Sequence, residues 1–361
     1  FKYTKKKTKI NLKVDSIEKL NKLLSKSQRP VFWLGNGIKL AKAEKLVPKL
    51  LKKLPFPTFL SWAAIDILSS DHKLNFGRPG VYGNRASNLI LQNSDLIIAI
   101  GNRMSISMIG YVHDEFARKA KLVQVDVDKS EIKKFKNKIN LGINLDAKIF
   151  LSTFIKKSNS NIKEKNLKNW LQFCKKTLNK YPHIEKKAHK DNNGFINSYK
   201  FIDRLSTKLR TNECIVTDMG TALLSGHQVI KLKKNQSMMT STGLGEMGFG
   251  LPGAIGASFG RNKGEVICLN CDGGMMLNLQ ELQTIDHYNL PIKIFIFNND
   301  GYLMIKHTQK NLFSGRYNAV DKKSGVSCPD FKKIAAAFNM KYFLINNWKD
   351  FDLKIPKILK E

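Results

Sequence analysis

The sequence predicts an α/β protein with two doubly wound parallel-sheet domains. Two observations predict this fold class: several apolar runs lack polar alternation and end in Gly or Asp, and helical patterns separate them. Continuous apolar runs are typical of strands that are covered on both faces. Strands that alternate with helices indicate parallel sheets between layers of helices. A chain of 361 residues, 42% of them hydrophobic, is long enough for two such domains and too apolar for a disordered protein.

The first predicted domain covers residues 1–155. It opens with a helix, because four apolar side chains recur at helical spacing. These side chains are Ile17, Leu20, Leu23 and Leu24. Apolar runs predict three strands, at residues 30–34, 95–101 and 122–128. Gly35-Asn36-Gly37 leads from the first of these strands into a second helical pattern.

A polar, lysine-rich stretch at 156–192 predicts a linker with some helix, because it contains few periodic apolar residues. The second domain follows at 193–361 and begins with a helical pattern over 201–209. Apolar runs predict its buried strands, at residues 214–218, 266–270 and 293–297. A helix is predicted over 278–288, so the last two strands and this helix form one strand–helix–strand unit.

The net charge of +33 is large, but it does not indicate a nucleic-acid partner. Only nine of the 62 Lys and Arg residues are Arg, whereas surfaces that read phosphates or bases favour the bidentate Arg side chain. The lysines are scattered over the polar faces of predicted helices. We therefore predict no nucleic-acid partner. Because no run of about 18 uncharged apolar residues occurs, we also predict no membrane partner.

The five cysteines predict a cytoplasmic protein. Their number is odd and their spacing forms no disulfide framework, which is typical of a reducing compartment. Cys268 and Cys271 form a CxxC pair, so a redox or zinc site is an alternative interpretation. A zinc ion needs two further ligands, however, and no second CxxC or His pair lies nearby.

Two polar residues follow the last two predicted strands. Asp272 follows one strand, and Asn299 follows the next. The carboxyl ends of neighbouring parallel strands share the edge of the sheet where ligands bind. A carboxylate and an amide oxygen suit Mg²⁺, which takes its other ligands from phosphate and water. Gly273 and Gly274 have no side chains, so the backbone there can approach a phosphate. The sequence therefore predicts a Mg²⁺–diphosphate site. The alternative is that Asp272 only caps a helix and Asn298-Asn299 only forms a turn.

These motifs resemble those of the thiamine-diphosphate enzymes. The stretch from Asp272-Gly273 to Asn298-Asn299 resembles the signature that begins Gly-Asp-Gly and ends Asn-Asn, and residues 241–252 resemble the segment before it. Within this family the chain is most similar to the large catalytic subunit of acetolactate synthase. Four segments of the first half resemble the central domain of the family, namely 29–31, 80–83, 94–97 and 116–118. The resemblance therefore implies the central and the diphosphate-binding domains of a three-domain enzyme.

The resemblance also implies roles for individual residues. Asp272 and Asn299 would ligate Mg²⁺ through their side chains, and Gly301 through its carbonyl oxygen. Gly245 would hold the aminopyrimidine, and Met247 would wedge the cofactor into a bent conformation. The implied cofactor-binding residues are Gly245, Met247, Asp272, Gly273, Gly274, Asn299, Gly301 and Tyr302.

The activity that the resemblance implies is decarboxylation of a 2-oxo acid followed by carboligation. The expected enzyme is a thiamine-diphosphate- and Mg²⁺-dependent transferase or lyase that converts pyruvate to 2-acetolactate in branched-chain amino acid biosynthesis. The alternatives are a related enzyme with another acceptor and a non-catalytic cofactor-binding subunit. A homodimer or homotetramer is expected, and a regulatory subunit is left open.

In this family the first of the three domains supplies the catalytic glutamate. The sequence resembles only the other two domains, and the second of these is expected to be truncated, because the family usually has a last helix and strand after residues 338–340. We therefore expect a fragment that is inactive alone, and the catalytic residue stays unassigned.

Three departures from the family pattern stand out. Cys271 replaces the first Gly of the signature, and Thr221-Ala222 replaces a Gln-His pair near the diphosphate. Residues 104–107 lack the charged side chains that are expected to contact a flavin, which leaves FAD binding open.

A glycine-rich segment also supports a different class of enzyme. Gly243, Gly245 and Gly248 satisfy the dinucleotide fingerprint GxGxxG, so an NAD-dependent oxidoreductase is the runner-up. The strand pattern before it is weak, and no suitably placed acidic residue follows about 20 positions later. The fingerprint alone is therefore weak support for NAD.

Overall fold

The computed structural model describes residues 14–135, 138–159, 162–192 and 194–361. Residues 1–13 of the first predicted domain lie outside the described residues. The described residues form two compact units. The first consists of those up to Leu68 together with His72–Pro182, and the second consists of Ser69–Asp71 and His183–Glu361.

The first unit is built on a parallel sheet. Its strands within the described ranges are β1 (Pro30–Leu34), β2 (Thr58–Leu60), β3 (Leu96–Ile100), β4 (Lys121–Asp126) and β5 (Ile139–Asn144). They lie in the order β2-β1-β3-β4-β5, and β1 pairs with β3 so that Val31 lies beside Ile97. The winding of the chain reverses between β1 and β3, which makes this the topological switch point of the sheet.

Helices cover both faces of the first sheet. In the described part of this unit they are α1 (Val14–Lys26), α2 (Gly37–Leu40), α3 (Val47–Lys53), α4 (Arg85–Asn93), α5 (Ile106–Ile109), α6 (Lys129–Lys133), α7 (Ala147–Lys157) and α8 (Glu164–Lys180). Alternate residues of β1 face two separate cores, as the two-residue period of a strand requires. Phe32 and Leu34 pack with α1, α3 and α7, whereas Val31 and Trp33 pack with α4 and α8. Helix α8 lies within the stretch that the sequence predicts as a linker.

The second unit is built on a smaller parallel sheet. Its strands, as far as the structure describes them, are β6 (Cys214–Thr217), β7 (Ser237–Thr240), β8 (Val266–Cys271) and β9 (Ile292–Phe297). Their order is β7-β6-β8-β9, so the switch point lies between β6 and β8. Every residue of β6 and β8 is buried, as expected for central strands.

Helices also surround the second sheet. The described ones are α9 (Ser198–Lys208), α10 (Thr221–Val229), α11 (Gly250–Gly260), α12 (Asp272–Met275), α13 (Leu282–Tyr288), α14 (Leu303–Leu312), α15 (Phe331–Ala337) and α16 (Trp348–Ile358). Helix α9 begins where the Asn197 side chain accepts hydrogen bonds from the first backbone N–H groups. Leu251 and Ile255 of α11 pack against Leu282 and Ile285 of α13 in one core. The predicted fold class of two parallel-sheet α/β domains is confirmed.

None of the helices in the described ranges is long and apolar enough to cross a membrane.

Candidate functional site

Three polar residues lie at the carboxyl edge of the second sheet. Asp218 follows β6, Asp272 follows β8 and Asn299 follows β9. Asp218 and Asp272 flank the switch point between β6 and β8, where doubly wound sheets bind their ligands. The edge therefore combines two acidic side chains with an amide.

Asp272 joins the ends of β8 and β9. Its carboxylate is fully buried, and Oδ2 accepts hydrogen bonds from the backbone N–H groups of Asn299 at 2.9 Å and Gly301 at 3.1 Å. Oδ1 accepts from the N–H of Gly273 at 2.8 Å. The predicted proximity of Asp272 and Asn299 is thus observed, whereas their role as metal ligands stays a prediction. The exposed Asn299 side chain places Nδ2 3.5 Å from Oγ1 of Thr221.

The backbone after Asp272 is a short helix. Cys271 ends β8, and the next four residues form α12. The N–H groups at the start of a helix lack intrahelical partners, and the buried Asp272 carboxylate satisfies one of them.

Packing within the protein explains why residues 273 and 274 are glycines. A Cβ atom on Gly273 would stand 2.4 Å from the ring of Tyr302 and 3.2 Å from Cε of Met247. A Cβ atom on Gly274 would stand 1.7 Å from Oδ2 of Asp218. The structure therefore brings Met247, Gly273 and Tyr302 together, and it gives both glycines a reason that does not involve a phosphate.

Gly245 and Gly301 adopt backbone conformations that favour glycine. Their φ angles are +68° and +143°, respectively. A Cβ on Gly245 would stand 2.6 Å from Cε of Met219, and a Cβ on Gly301 would stand 2.2 Å from the carbonyl oxygen of Val320. The next residue, Tyr302, donates its N–H to the same carbonyl at 2.9 Å. Both predicted site glycines are thus fixed by neighbours within the fold.

Asp218 is a site residue that the sequence analysis did not single out. Its carboxylate is fully buried, and Oδ1 accepts the N–H of Gly250 at 3.0 Å. Burial raises the pKa of the Asp218 carboxyl, while backbone N–H groups led by that of Gly250 oppose the rise. The signal in the sequence that could have indicated Asp218 is its position as an acidic residue at the end of the predicted strand 214–218.

Two of the departures from the family pattern lie in contact. Sγ of Cys271 accepts the N–H of Ala222 at 3.3 Å, at the start of α10. The same sulfur lies 3.4 Å from where a Cβ on Gly220 would stand. The Cys271 side chain therefore occupies space beside the segment in which Thr221-Ala222 replaces the Gln-His pair.

The cysteines do not support a redox or zinc site. Burial raises the pKa of the Cys271 thiol to about 12 and raises that of Cys268 further, so thiolates are scarce at neutral pH. Within the described ranges, no group of three or more His, Cys, Asp or Glu side chains could hold a metal ion. The half-buried Cys328 thiol lies against Asp272, and burial followed by this carboxylate raises its pKa to about 11.

The donors near Asp272 fit a hard cation that also binds phosphate. The set contains one carboxylate, the amide of Asn299 and the backbone of Gly301 at one sheet edge. Because Mg²⁺ keeps few protein ligands and takes the rest from phosphate and water, a single carboxylate suffices. The residues present therefore fit a Mg²⁺–diphosphate group.

Two family models match the chain. "Thiamine pyrophosphate enzyme, central domain" matches residues 17–154, and "Thiamine pyrophosphate enzyme, C-terminal TPP binding domain" matches residues 218–361. The chain belongs to the thiamine pyrophosphate (thiamine diphosphate) enzyme family, of which it contains these two domains. The predicted family is confirmed, and the NAD-dependent alternative finds no support.

Curated relatives define a narrower resemblance. The chain is 33% identical over 339 residues to the "Probable acetolactate synthase large subunit" of Methanococcus aeolicus, which covers 90% of this chain and 55% of that protein. It is 30% identical over 345 residues to the "Acetolactate synthase isozyme 1 large subunit" of Escherichia coli K12, covering 96% and 59%. The match to the "Acetolactate synthase large subunit" of Cyanidium caldarium is 29% over 350 residues, covering 96% and 58%. The chain thus resembles acetolactate synthase large subunits and spans less than two thirds of their length.

Proposed function

We propose that the second unit binds thiamine diphosphate through Mg²⁺ at the switch point between β6 and β8. Asp272, Asn299 and Gly301 would ligate the metal. The other cofactor-binding residues would be Gly245, Met247, Gly273, Gly274 and Tyr302. The observation that carries the proposal is the buried Asp272 carboxylate, which accepts N–H groups from both Asn299 and Gly301 and so joins the two ends of the signature.

The residues of this chain would bind and orient the cofactor. When bound, thiamine diphosphate supplies the nucleophilic carbon and the electron sink for decarboxylation of 2-oxo acids. Asp272 would offset part of the Mg²⁺ charge while holding the β9 end in place, since Oδ2 already accepts the N–H groups of Asn299 and Gly301. Met247 and Tyr302 both pack against Gly273 and would set the cofactor position there.

The proposed reaction is that of an acetolactate synthase. Two molecules of pyruvate would yield 2-acetolactate and carbon dioxide, in the cytoplasm and for branched-chain amino acid biosynthesis. The names and the extent of the matching relatives support this reaction. Another acceptor carbonyl compound in place of the second pyruvate is the close alternative.

The proposed assembly is at least a homodimer. Large apolar side chains near the site are exposed, including Leu244 at 88%, Leu277 at 49% and Leu303 at 46%. Exposed apolar groups that surround a site favour a protein partner. The relatives are named large subunits, which supports a smaller regulatory subunit as a second partner.

The experiment is calorimetric titration of the full-length protein with thiamine diphosphate, with Mg²⁺ and with EDTA in its place. Binding only with Mg²⁺ is expected, and absence of binding would refute the proposed site. Release of carbon dioxide from pyruvate, with and without FAD, then tests the reaction. Cofactor binding without turnover of any 2-oxo acid would instead favour the non-catalytic subunit, for which the altered contact of Cys271 is the motivating observation.

A further inference from the structure

One buried carboxylate lies between the two segments that are proposed to hold the cofactor. The first segment is the loop 245–249, here called the Met247 loop, which contains Gly245 and Met247 and leads into α11. The second segment is the short helix α12, a single helical turn that is here called the α12 turn. It contains Asp272, Gly273 and Gly274. Asp218, at the end of β6, contacts both of them.

The first contact fixes the start of α11. Oδ1 of Asp218 accepts the N–H of Gly250, the first residue of that helix, at 3.0 Å. The N–H groups of Gly248 and Phe249 also face the carboxylate. A Cβ on Gly250 would stand 2.7 Å from Cβ of Asp218, so the approach is as close as glycine permits. This contact therefore determines where the loop with Met247 ends.

The second contact fixes the α12 turn. Oδ2 of Asp218 lies where a side chain on Gly274 would begin, 1.7 Å from the position of its Cβ. Among the described residues, this oxygen has no hydrogen-bond partner of good geometry. A buried oxygen without a hydrogen-bond partner costs free energy. Hydrogen bonding within the fold therefore does not explain why Oδ2 of Asp218 lies at this position.

A simple helix cap would not need this arrangement. Capping of α11 requires one acceptor oxygen, which Ser, Thr or Asn would also provide. Asp218 instead carries a second oxygen that is packed against the other segment. A role in spacing the two segments accounts for both oxygens.

We infer that Asp218 is a positioning residue that sets the distance between the Met247 loop and the α12 turn before thiamine diphosphate binds. The expected effect on cofactor affinity rests on the proposed function. Binding costs less conformational entropy when the two segments are already held in place. Asp218 acts through Gly250 and Gly274 and need not touch the cofactor.

The test compares Asp218→Asn with a matched control, Asp95→Asn, in the full-length protein. Asp218→Asn keeps an oxygen for the Gly250 N–H and replaces the other oxygen with an amide group against Gly274. Asp95 is a partly buried carboxylate in the first unit, and like Asp218 it accepts backbone N–H groups, those of Gln28 at 2.8 Å and Arg29 at 3.0 Å. Two quantities are measured: the Kd for thiamine diphosphate at saturating Mg²⁺, and amide hydrogen exchange without cofactor.

For Asp218→Asn we expect a Kd that rises about tenfold, as substitutions of residues that support a ligand shell commonly cause. We also expect faster exchange in both 245–250 and 272–275. Asp95→Asn should lower the denaturation midpoint and leave the Kd and these two segments unchanged. A wild-type Kd together with faster exchange confined to 245–250 would overturn the inference and leave Asp218 as a cap of α11.

The exchange measurement separates the two proposals. If the wild-type protein does not bind thiamine diphosphate, the proposed function fails. The coupling of the two segments by Asp218 is still decided, because unchanged exchange at 272–275 in Asp218→Asn would refute it.

A double-mutant cycle keeps the inference testable if Asp218→Asn folds poorly. Gly274→Ala places a methyl group 1.7 Å from Oδ2 of Asp218, whereas Asp218→Ala removes that oxygen and leaves Oδ1 of Asn270, at 2.9 Å, as the remaining close contact. The stability of the double variant should therefore exceed the value expected from the sum of the single effects. Additive effects on the denaturation midpoint would show that the two positions are not coupled and would overturn the inference.

Discussion

The two sheets of this protein have the same kind of switch point, but different contacts fill the space at the carboxyl edge of each sheet. In the first sheet, backbone meets backbone: Gly37 donates its N–H to the carbonyl oxygen of Gly101 at 2.9 Å, and a Cβ on Gly35 would stand 2.1 Å from that oxygen. In the second sheet, side chains close the edge, since Asp218 fills the space beside Gly274. Glycines at the two edges look alike in the sequence but have different neighbours.

This difference explains why a metal–diphosphate site is proposed at only one of the two edges. At the first edge the carbonyl oxygen of Gly101 is used within the fold. At the second edge the carboxylate of Asp272 offers charge and oxygens with lone pairs beyond the hydrogen bonds that it accepts. Fold topology defines where a ligand can bind, and the side chains at the edge define which ligand.

The largest effect is expected for Asp272→Ala. The change removes the acceptor of three backbone N–H groups in a fully buried position, so the free energy of unfolding should fall by about 3 kcal/mol or more. Mg²⁺-dependent binding of thiamine diphosphate should weaken at least about 100-fold. Denaturant titration and calorimetry measure the two effects.

Asp95→Ala is the control for this prediction. It also removes an acceptor of backbone N–H groups, but in the first unit. It should destabilise the protein and leave cofactor affinity unchanged. Unchanged cofactor affinity in Asp272→Ala would refute the assignment of Asp272 as a metal ligand.

A smaller effect is expected for Gly35→Ala at the first switch point. The new methyl group would meet the backbone of Gly101 and Asn102, which cannot move aside as a flexible side chain could. The free energy of unfolding should fall by about 2–3 kcal/mol, a usual range for overpacking, without a change in the Kd for thiamine diphosphate.

Gly256→Ala in α11 is the matched control, because a Cβ there meets no atom within 4 Å. Alanine is the better helix former, so this variant should gain about 0.5–1 kcal/mol. Equal stability of the two alanine variants would contradict the view that the first edge is closed by backbone contact.

The smallest effect is expected for Cys271→Gly, which restores the family residue at the second switch point. The added backbone freedom and the lost thiol should lower the free energy of unfolding by about 1–2 kcal/mol. The N–H of Ala222 loses its sulfur acceptor and becomes available to a phosphate oxygen, so cofactor affinity should be at least that of the wild type. Calorimetry checks this, with Cys174→Ala as a control in the first unit; weaker binding would show that Cys271 supports the site.

Much of the fold could be predicted from local patterns. The buried strands β1, β3, β6 and β8 are continuous apolar runs, and such runs have few other interpretations in an α/β chain. The linker prediction did not anticipate the length of α8, because Trp170 and Cys174 are the only buried positions among many polar residues of that helix. Its packing against β1, where Trp170 donates to the Pro30 carbonyl at 3.0 Å, is a contact between residues 140 positions apart.

By itself, the sequence determined the fold class, the family and the proximity of Asp272 and Asn299, because each depends on residue type and on spacing along the chain. Tertiary structure alone decided that Asp218 lies between the loop of Met247 and the turn of Gly274, and that Cys271 contacts Ala222. The physical reason is that these contacts join strand ends that are adjacent in the sheet order but distant in the chain. No local period or propensity encodes which side chain fills the space above a given glycine.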